Sequence, residues 1–155
     1  MMRASRAYID GLKMLARREL SEQQVRQRLA RKAYDQQEID DAIERLRGER
    51  ALDDARVAEA IARTEVTLRK RGKIRVQMQI ERAGISKATA RRAVAGTFEE
   101  VDDKALLEAS LAKRLRGRDT IDDQRELERL YRYLVSQGFE PDQVIQSLNR
   151  RKRRT

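Results

Sequence analysis

Two kinds of residue in this chain could do chemistry: adjacent carboxylates, and runs of arginine and lysine. The carboxylates stand in three pairs, Asp53-Asp54, Asp102-Asp103 and Asp122-Asp123, and such pairs can hold Mg²⁺. Each pair also stands where a helical pattern begins, and there an aspartate caps the open backbone amides and complements the helix dipole. We therefore interpret the pairs as helix caps and predict no metal site.

The residues that activate nucleophiles or bind soft metals are missing from the sequence. It has no histidine and no cysteine, which excludes the commonest general base, a thiolate zinc site and disulfide bonds. The serines have no histidine to activate them, and Gly72 and Gly84 are too isolated to form a phosphate-binding loop. We predict no catalytic residues, no cofactor and no enzymatic activity.

The positive charge is concentrated in two stretches. Residues 61–92 contain ten basic and two acidic residues, residues 150–154 are all basic, and the rest is mildly acidic although the whole chain carries +10. Such uneven charge indicates a polyanionic partner, either nucleic acid or an acidic protein surface, with a well-solvated helix face as the alternative. The candidate partner-binding residues are Arg69, Lys70, Arg71, Lys73, Arg75, Arg82, Arg91 and Arg92. The candidate tail contacts are Arg150, Arg151, Lys152, Arg153 and Arg154, although a terminal basic run is often disordered and only solubilising.

The composition favours helices as the elements that position these cations. Charged residues make up 40% of the chain, hydrophobic residues 39% and aromatic residues 4%, which is typical of helices with a narrow apolar stripe. Full disorder is the competing interpretation, but the regular apolar spacing argues against it. No apolar run approaches the ~20 residues of a membrane span, and the N-terminus lacks the apolar core of a signal peptide. We therefore expect a soluble, cytoplasmic protein.

The same layout recurs at three joints between helices. Each joint has a small or helix-breaking residue followed by a large apolar one, and the large residues are Tyr34, Ile85 and Phe139. Apolar residues recur nine and five positions before and five and nine positions after each of them: Val25, Leu29, Ile39 and Ile43; Val76, Ile80, Ala90 and Val94; Leu130, Leu134, Val144 and Leu148. The pattern predicts an all-α fold, an elongated tandem array of three three-helix units.

The predicted units are residues 1–50, 51–97 and 98–149, followed by a basic tail at residues 150–155. The second unit is the basic one. A unit of this size is marginally stable alone, so we expect stacking between neighbours to supply much of the stability.

Local signals set the expected helix ends. Two capping boxes are predicted, Ser21 with Gln24 and Asp35 with Glu38. Gly72 is expected to end a helix in a left-handed turn, since glycine lacks Cβ. The helix that Ser86 caps is expected to stop near Gly96.

The apolar spacing also predicts which side chains are buried. Tyr8, Leu12 and Leu15 are expected on one face of the first helix. If buried at their joints, Tyr34 and Phe139 should each contribute about 3–5 kcal/mol relative to alanine.

Three stretches of the sequence resemble the RecX family, bacterial regulators of the RecA recombinase. Residues 51–58, ALDDARVA, are similar to the family's GYLDD.RFA stretch, and residues 72–85, GKIRVQMQIERAGI, to its G..RI...L...GI stretch. Residues 21–29 are similar to its S..EL..KL pattern. This chain has Arg50 where the family pattern has glycine, Ala51 for an aromatic residue, Val57 for phenylalanine and Lys73 for a frequent proline; these changes are expected to lighten packing between the first two units and to leave the helix pattern intact.

The resemblance implies a non-enzymatic modulator. A member of this family is expected to bind RecA, including its filament on single-stranded DNA, and to inhibit its ATPase, recombinase and coprotease activities. That would place the chain in DNA repair, recombination and the SOS response. We expect a monomer whose basic second unit contacts an acidic protein surface or DNA.

Other functions remain open from the residues alone. The protein could bind DNA or RNA directly through its basic middle unit and tail, or it could be a helical scaffold for another protein. The joint at Gly84 resembles a helix–turn–helix, which would suit sequence-specific DNA reading. However, the helices after the joints are mixed in charge, and a generic helical joint is the commoner explanation.

Overall fold

The structure, a computed structural model, describes residues 5–152, and nearly all of this range is helical. Its helices are α1 (Arg6–Arg17), α2 (Glu22–Arg31), α3 (Gln36–Gly48), α4 (Asp54–Thr67), α5 (Lys73–Arg82), α6 (Lys87–Glu100), α7 (Asp103–Leu115), α8 (Gln124–Ser136) and α9 (Pro141–Arg151). Apart from one isolated bridge between Ile121 and Lys152, residues 5–152 contain no β-structure.

The helices group in threes around three hydrophobic clusters. Helices α1 to α3 supply most of the first cluster, α4 to α6 the second and α7 to α9 the third. Leu106 packs against both the second and the third cluster, so those two cores adjoin. The predicted all-α array of three three-helix units is confirmed, while its boundaries at residues 50, 97 and 149 stay a prediction.

Most helices begin at the predicted caps. Both capping boxes are present, Ser21 with Gln24 and Asp35 with Glu38. Asp53, Asp102 and Asp123 accept hydrogen bonds from first-turn amides of α4, α7 and α8, and Ser86 caps α6 in the same way. One carboxylate of each predicted pair therefore caps a helix start.

The three joints keep the predicted register. All twelve apolar residues at the four offsets are buried, none more than 7% exposed. The large joint residues Ile85 and Phe139 are buried, whereas Tyr34 is only half-buried and its hydroxyl donates to Asp10 Oδ2 (2.5 Å). The residue before each of them has a positive φ: 67° at Ala33, 84° at Gly84 and 97° at Gly138.

The prediction that Gly72 ends a helix in a left-handed turn was wrong. Gly72 has φ −82° and is the N-cap of α5, and the residue in the left-handed conformation is Lys70, with φ 55°. Gly72 is needed for close packing instead, because a Cβ there would lie 2.6 Å from the carbonyl oxygen of Gly138 and 2.8 Å from the Phe139 ring.

One docking contact is repeated between successive units. Ser21, the N-cap of α2, donates its hydroxyl to the carbonyl of Ala83, which lies in the joint of the second unit. Gly72, the N-cap of α5, donates its amide to the carbonyl of Gln137 in the joint of the third unit (2.9 Å). In the first and second units, the start of the second helix thus rests on the next unit's joint, which fixes how these neighbouring units stack.

Two local expectations are corrected. Helix α6 does not stop near Gly96 but continues to Glu100, because Phe98 and Val101 still pack against the second cluster. On α1, Leu12 is 37% exposed, while Ala7 and Tyr8 are buried. Gly11 lets α1 approach α3 closely, since a Cβ there would lie 2.7 Å from Leu46 Cδ1.

Replacing Ala33 with glycine is expected to raise the free energy of unfolding by about 1 kcal/mol. Ala33 is exposed and holds a φ of 67°, a conformation that strains a residue with a Cβ, and glycine already occupies the other two joints. Urea denaturation followed by circular dichroism measures the change. The matched control is Ala95→Gly on the exposed side of α6, which should lower stability by about 1 kcal/mol. A loss of stability in both variants would contradict the assignment of strain to Ala33.

Candidate partner-binding surface

The basic run after α4 divides into outward and inward side chains. Arg71 turns inward: its Nη1 lies 3.0 Å from Oε2 of Glu65, and the two side chains are only 16% and 8% exposed. Arg69 reaches the same carboxylate from outside at 3.8 Å and is 57% exposed. Arg71 therefore forms an internal ion pair and does not belong to the exposed surface that a partner could contact.

The chain reversal after α4 presents the outward residues. The amide of Lys70 donates to the carbonyl of Val66 (3.2 Å) and that of Arg71 to the carbonyl of Glu65 (3.1 Å). The bond from Lys70 to Val66 is the αL motif of a helix end, with lysine at the left-handed position where glycine is usual. It leaves Lys70 exposed and Leu68 75% exposed, which is a large apolar exposure beside two cations.

These residues line a groove, here called the basic groove, together with residues of α7 and α8. The groove has a volume of about 880 Å³. Its basic residues are Arg69, Lys70, Lys113, Arg114, Arg116, Arg118 and Arg129, and its acidic residue is Glu126. It therefore lies between the second and third units and draws most of its charge from the third.

The cations of the basic groove differ in how far they are already engaged. Arg118 pairs with Glu126 and with Asp122, and its hydrogen bond holds the pKa of the Glu126 carboxyl below its usual range. Arg114 stacks on Tyr133, its guanidinium carbon 3.6 Å from the ring centre, so that face of the ring is covered.

The remaining groove cations are available. Within residues 5–152, ion pairs are absent for Lys70, Lys113, Arg116 and Arg129, and all four side chains belong to exposed residues. An acidic group entering the groove could pair with these four cations, although Arg129 also lies near enough to Glu126 to help lower the pKa of that carboxyl.

The other predicted cations are not brought to this groove. Lys73 and Arg91 line a separate shallow surface beside Phe98, with Lys73 Nζ 5.6 Å from the ring centre. Arg92 lies on a third surface together with Arg63. Arg82 is exposed in the last turn of α5. The predicted set is thus spread over several faces of the second unit.

Arg75 is a contact between units. It is half-buried, its Nη1 donates to the carbonyl of Ser136 (3.4 Å), and its backbone lies against Gly138. With its amide oxygen turned toward them, Gln79 accepts from Arg75 Nε (3.1 Å) and Arg71 Nη1 (3.0 Å). Arg75 therefore helps to join the second and third units.

The first part of the basic tail is folded. Arg150 and Arg151 belong to α9 and reach Glu108 on α7 at 3.5 and 3.1 Å. The amide of Ile121 donates to the carbonyl of Arg151 (2.8 Å), which holds the helix end in place. Arg150 remains 70% exposed. Arg153 and Arg154 lie outside the described residues.

The sequence reasoning missed the groove residues of the third unit. Their signal is the sequence KRLRGR at residues 113–118. Four of its six residues are basic: Lys113, Arg114, Arg116 and Arg118. This basic run is easily overlooked because acidic residues elsewhere in the third unit offset its positive charge. A short charge window, rather than a total per unit, would have found it.

The described part of the chain offers little to other kinds of site. Among residues 5–152, no cluster of three or more acidic side chains is arranged to hold a metal ion. None of the helices in that range combines the length and the apolar composition that a membrane span requires.

Comparison with known proteins identifies the family. Residues 7–46 match the family model described as RecX, first three-helix domain. Regulatory protein RecX from Syntrophotalea carbinolica is 31% identical over 86% of this chain and 88% of that relative. Regulatory protein RecX from Chromohalobacter salexigens is 32% identical over 87% of this chain and 86% of the relative.

The fold is shared with solved structures. The crystal structure of RecX from Lactobacillus salivarius superposes with a TM-score of 0.75 at 23% identity, covering 92% of this chain and 94% of that one. The superposition concerns the fold alone. The sequence relatives, which are more than 30% identical over most of both chains, show that the chain belongs to the RecX family, whose members are non-enzymatic regulatory proteins.

Proposed function

We propose that the protein binds the RecA recombinase, or the RecA filament on single-stranded DNA, and inhibits its ATPase, recombinase and coprotease activities in the cytoplasm. The observation that carries the proposal is the basic groove, a cationic surface that includes the exposed Leu68, in a member of a regulatory family. No cofactor is needed for this role, which is exerted by binding alone.

The groove has the chemistry of a surface for an acidic protein. Leu68 can be desolvated by a partner, and full burial of a leucine side chain is worth about 1.5–3 kcal/mol. The arginines around it can form bidentate contacts with carboxylates. Because Arg69 and Arg114 already have partners within the chain, we assign the main contacts to Lys70, Lys113, Arg116 and Arg129.

The test is RecA ATPase activity on single-stranded DNA, with this protein titrated in. A variant with glutamine at positions 70, 113, 116 and 129 should need about tenfold more protein for half-inhibition, equivalent to about 1.4 kcal/mol of binding free energy. The matched control loses the same charge outside the groove, through Arg63→Gln, Lys87→Gln, Arg91→Gln and Arg92→Gln, and should inhibit like the wild type.

The outcomes separate the possible surfaces. Inhibition that fails only in the control variant would move the contact to the surface that carries Arg63, Lys87, Arg91 and Arg92. Wild-type protein that leaves the ATPase unchanged at stoichiometric ratios would remove RecA as the partner. Circular dichroism melting of both variants shows whether either has lost its fold.

A second candidate function is direct binding of DNA or RNA through the basic middle unit and tail. It is supported by the net charge of residues 61–92 and by Arg150, which is 70% exposed. It predicts salt-sensitive nucleic-acid affinity without RecA, which weakens when these cations are removed. Affinity that does not change with salt concentration would exclude it.

A further inference from the structure

The first unit carries a second basic surface, well away in sequence from the basic segment. Its basic residues are Lys13, Arg17, Arg18, Arg28, Arg31 and Lys32, and its other lining residues are Met14 and Asp10. Together they enclose a groove of about 610 Å³, which we call the first-unit patch. The total charge of the first 50 residues conceals it.

Helical spacing builds the first-unit patch from two facing helices. On α1, Asp10, Lys13, Met14 and Arg17 recur at intervals of three or four residues and so lie on one face. Arg28 and Arg31 on α2 and Lys32 at its C-cap have the same spacing. The acidic residues are segregated elsewhere, since residues 35–49 carry six acidic and two basic residues.

The patch retains almost all of its charge. Its one carboxylate, Asp10, accepts from the Tyr34 hydroxyl (2.5 Å) and pairs with Lys32 (3.6 Å). The other five cations form no ion pair within residues 5–152. Cations in a last helical turn also complement the helix dipole, but that effect accounts for Arg17, Arg28 and Arg31 and not for Lys13 in the middle of α1.

We propose that the first-unit patch binds the sugar–phosphate backbone of single-stranded nucleic acid. Four of its six cations are arginine, which forms bidentate contacts with phosphate. Unlike the basic groove, the patch has no strongly exposed apolar side chain, because Met14 is half-buried, and so it lacks an anchor for a protein partner. Proteins that bind single strands without sequence preference track the backbone with a positively charged groove, which is the form of this patch.

The test uses the full chain without RecA, so that its result is independent of the function proposed above. A fluorescein-labelled oligo(dT) is titrated with protein at several salt concentrations, and binding is followed by fluorescence anisotropy. In the variant Arg17→Gln, Arg28→Gln, Arg31→Gln, the log–log salt slope should fall by about 2, because each phosphate neutralised on a single strand contributes about 0.7 to that slope. The Kd should rise at least about tenfold.

The matched control removes three exposed cations of the third unit that belong to neither surface, through Lys104→Gln, Arg125→Gln and Arg132→Gln, and should keep the wild-type slope. Arg28 is half-buried, so the exposed pair Lys13→Gln, Arg18→Gln provides a second variant, whose slope should fall by about 1.4. Undetectable binding of oligo(dT) by the wild type, or a wild-type slope in both patch variants, would overturn the proposal. Patch variants that bind oligo(dT) normally but fail to inhibit RecA would assign the patch to a protein partner and would also overturn it.

Discussion

Replacing Phe139 with alanine is expected to lower the free energy of unfolding by about 3–5 kcal/mol, the usual loss for a fully buried phenylalanine. Phe139 is 0% exposed and belongs to the third cluster. Its ring also lies within packing distance of Gly72 in the second unit. Truncation would therefore leave a cavity where two units meet, and neither core could collapse into it without moving the other.

Tyr34→Ala supplies the comparison, because Tyr34 holds the equivalent position in the first unit. It is only half-buried, and its hydroxyl bonds to Asp10. We expect a loss of roughly 1–2 kcal/mol, an ordinary value for a partly exposed side chain, instead of the larger loss that the sequence alone suggested. Urea denaturation of both variants measures the two values. Equal losses would mean that the joint residues act only within their own units.

The joints could be predicted from the sequence because their determinants are local. Burial of residues at offsets of five and nine positions follows from helical periodicity, and capping by Ser21 or Asp35 depends on residues three positions apart. Gly72 was misinterpreted because its environment is not local. The atoms that exclude a Cβ there belong to Gly138 and Phe139, which are distant along the chain.

The structure also explains one departure from the family pattern. Arg50 stands where that pattern has glycine, and it adopts a φ of 58°. Glycine takes this conformation without strain, whereas a residue with a Cβ does not. The substitution therefore acts on the backbone turn between α3 and α4 and not mainly on packing, which was the effect expected from the sequence.

The candidate site was predictable only in part. Arg69 and Lys70 were identified from the basic run, but their neighbours in the basic groove, Lys113 and Arg129, come from another unit. No spacing rule within one helix relates them. Arg71 lies six residues after Glu65, a separation that does not bring side chains together on a continuous helix. The left-handed turn at Lys70 reverses the chain and brings Arg71 back to Glu65.

Glu65→Ala is expected to lower the free energy of unfolding by about 3 kcal/mol, because it leaves the nearly buried Arg71 without its carboxylate. Arg71 Nε is already buried without a hydrogen-bond partner among the described residues. The guanidinium therefore has no other acceptor on that side to replace the lost carboxylate. Urea denaturation measures the change in stability. The same variant should also inhibit RecA less strongly, because the Glu65–Arg71 pair stabilises the turn that exposes Leu68 and Lys70.

Arg69→Ala is the matched control, since it removes the exposed partner of the same carboxylate. A solvent-exposed ion pair contributes at most about 1 kcal/mol, and the inward pair with Arg71 remains. If the two variants lost stability equally, the buried Glu65–Arg71 pair would contribute no more to stability than the exposed Glu65–Arg69 pair. In that case the turn after α4 would be held by its backbone hydrogen bonds alone, and the placement of the groove cations would follow from the αL motif at Lys70 and not from the buried charge.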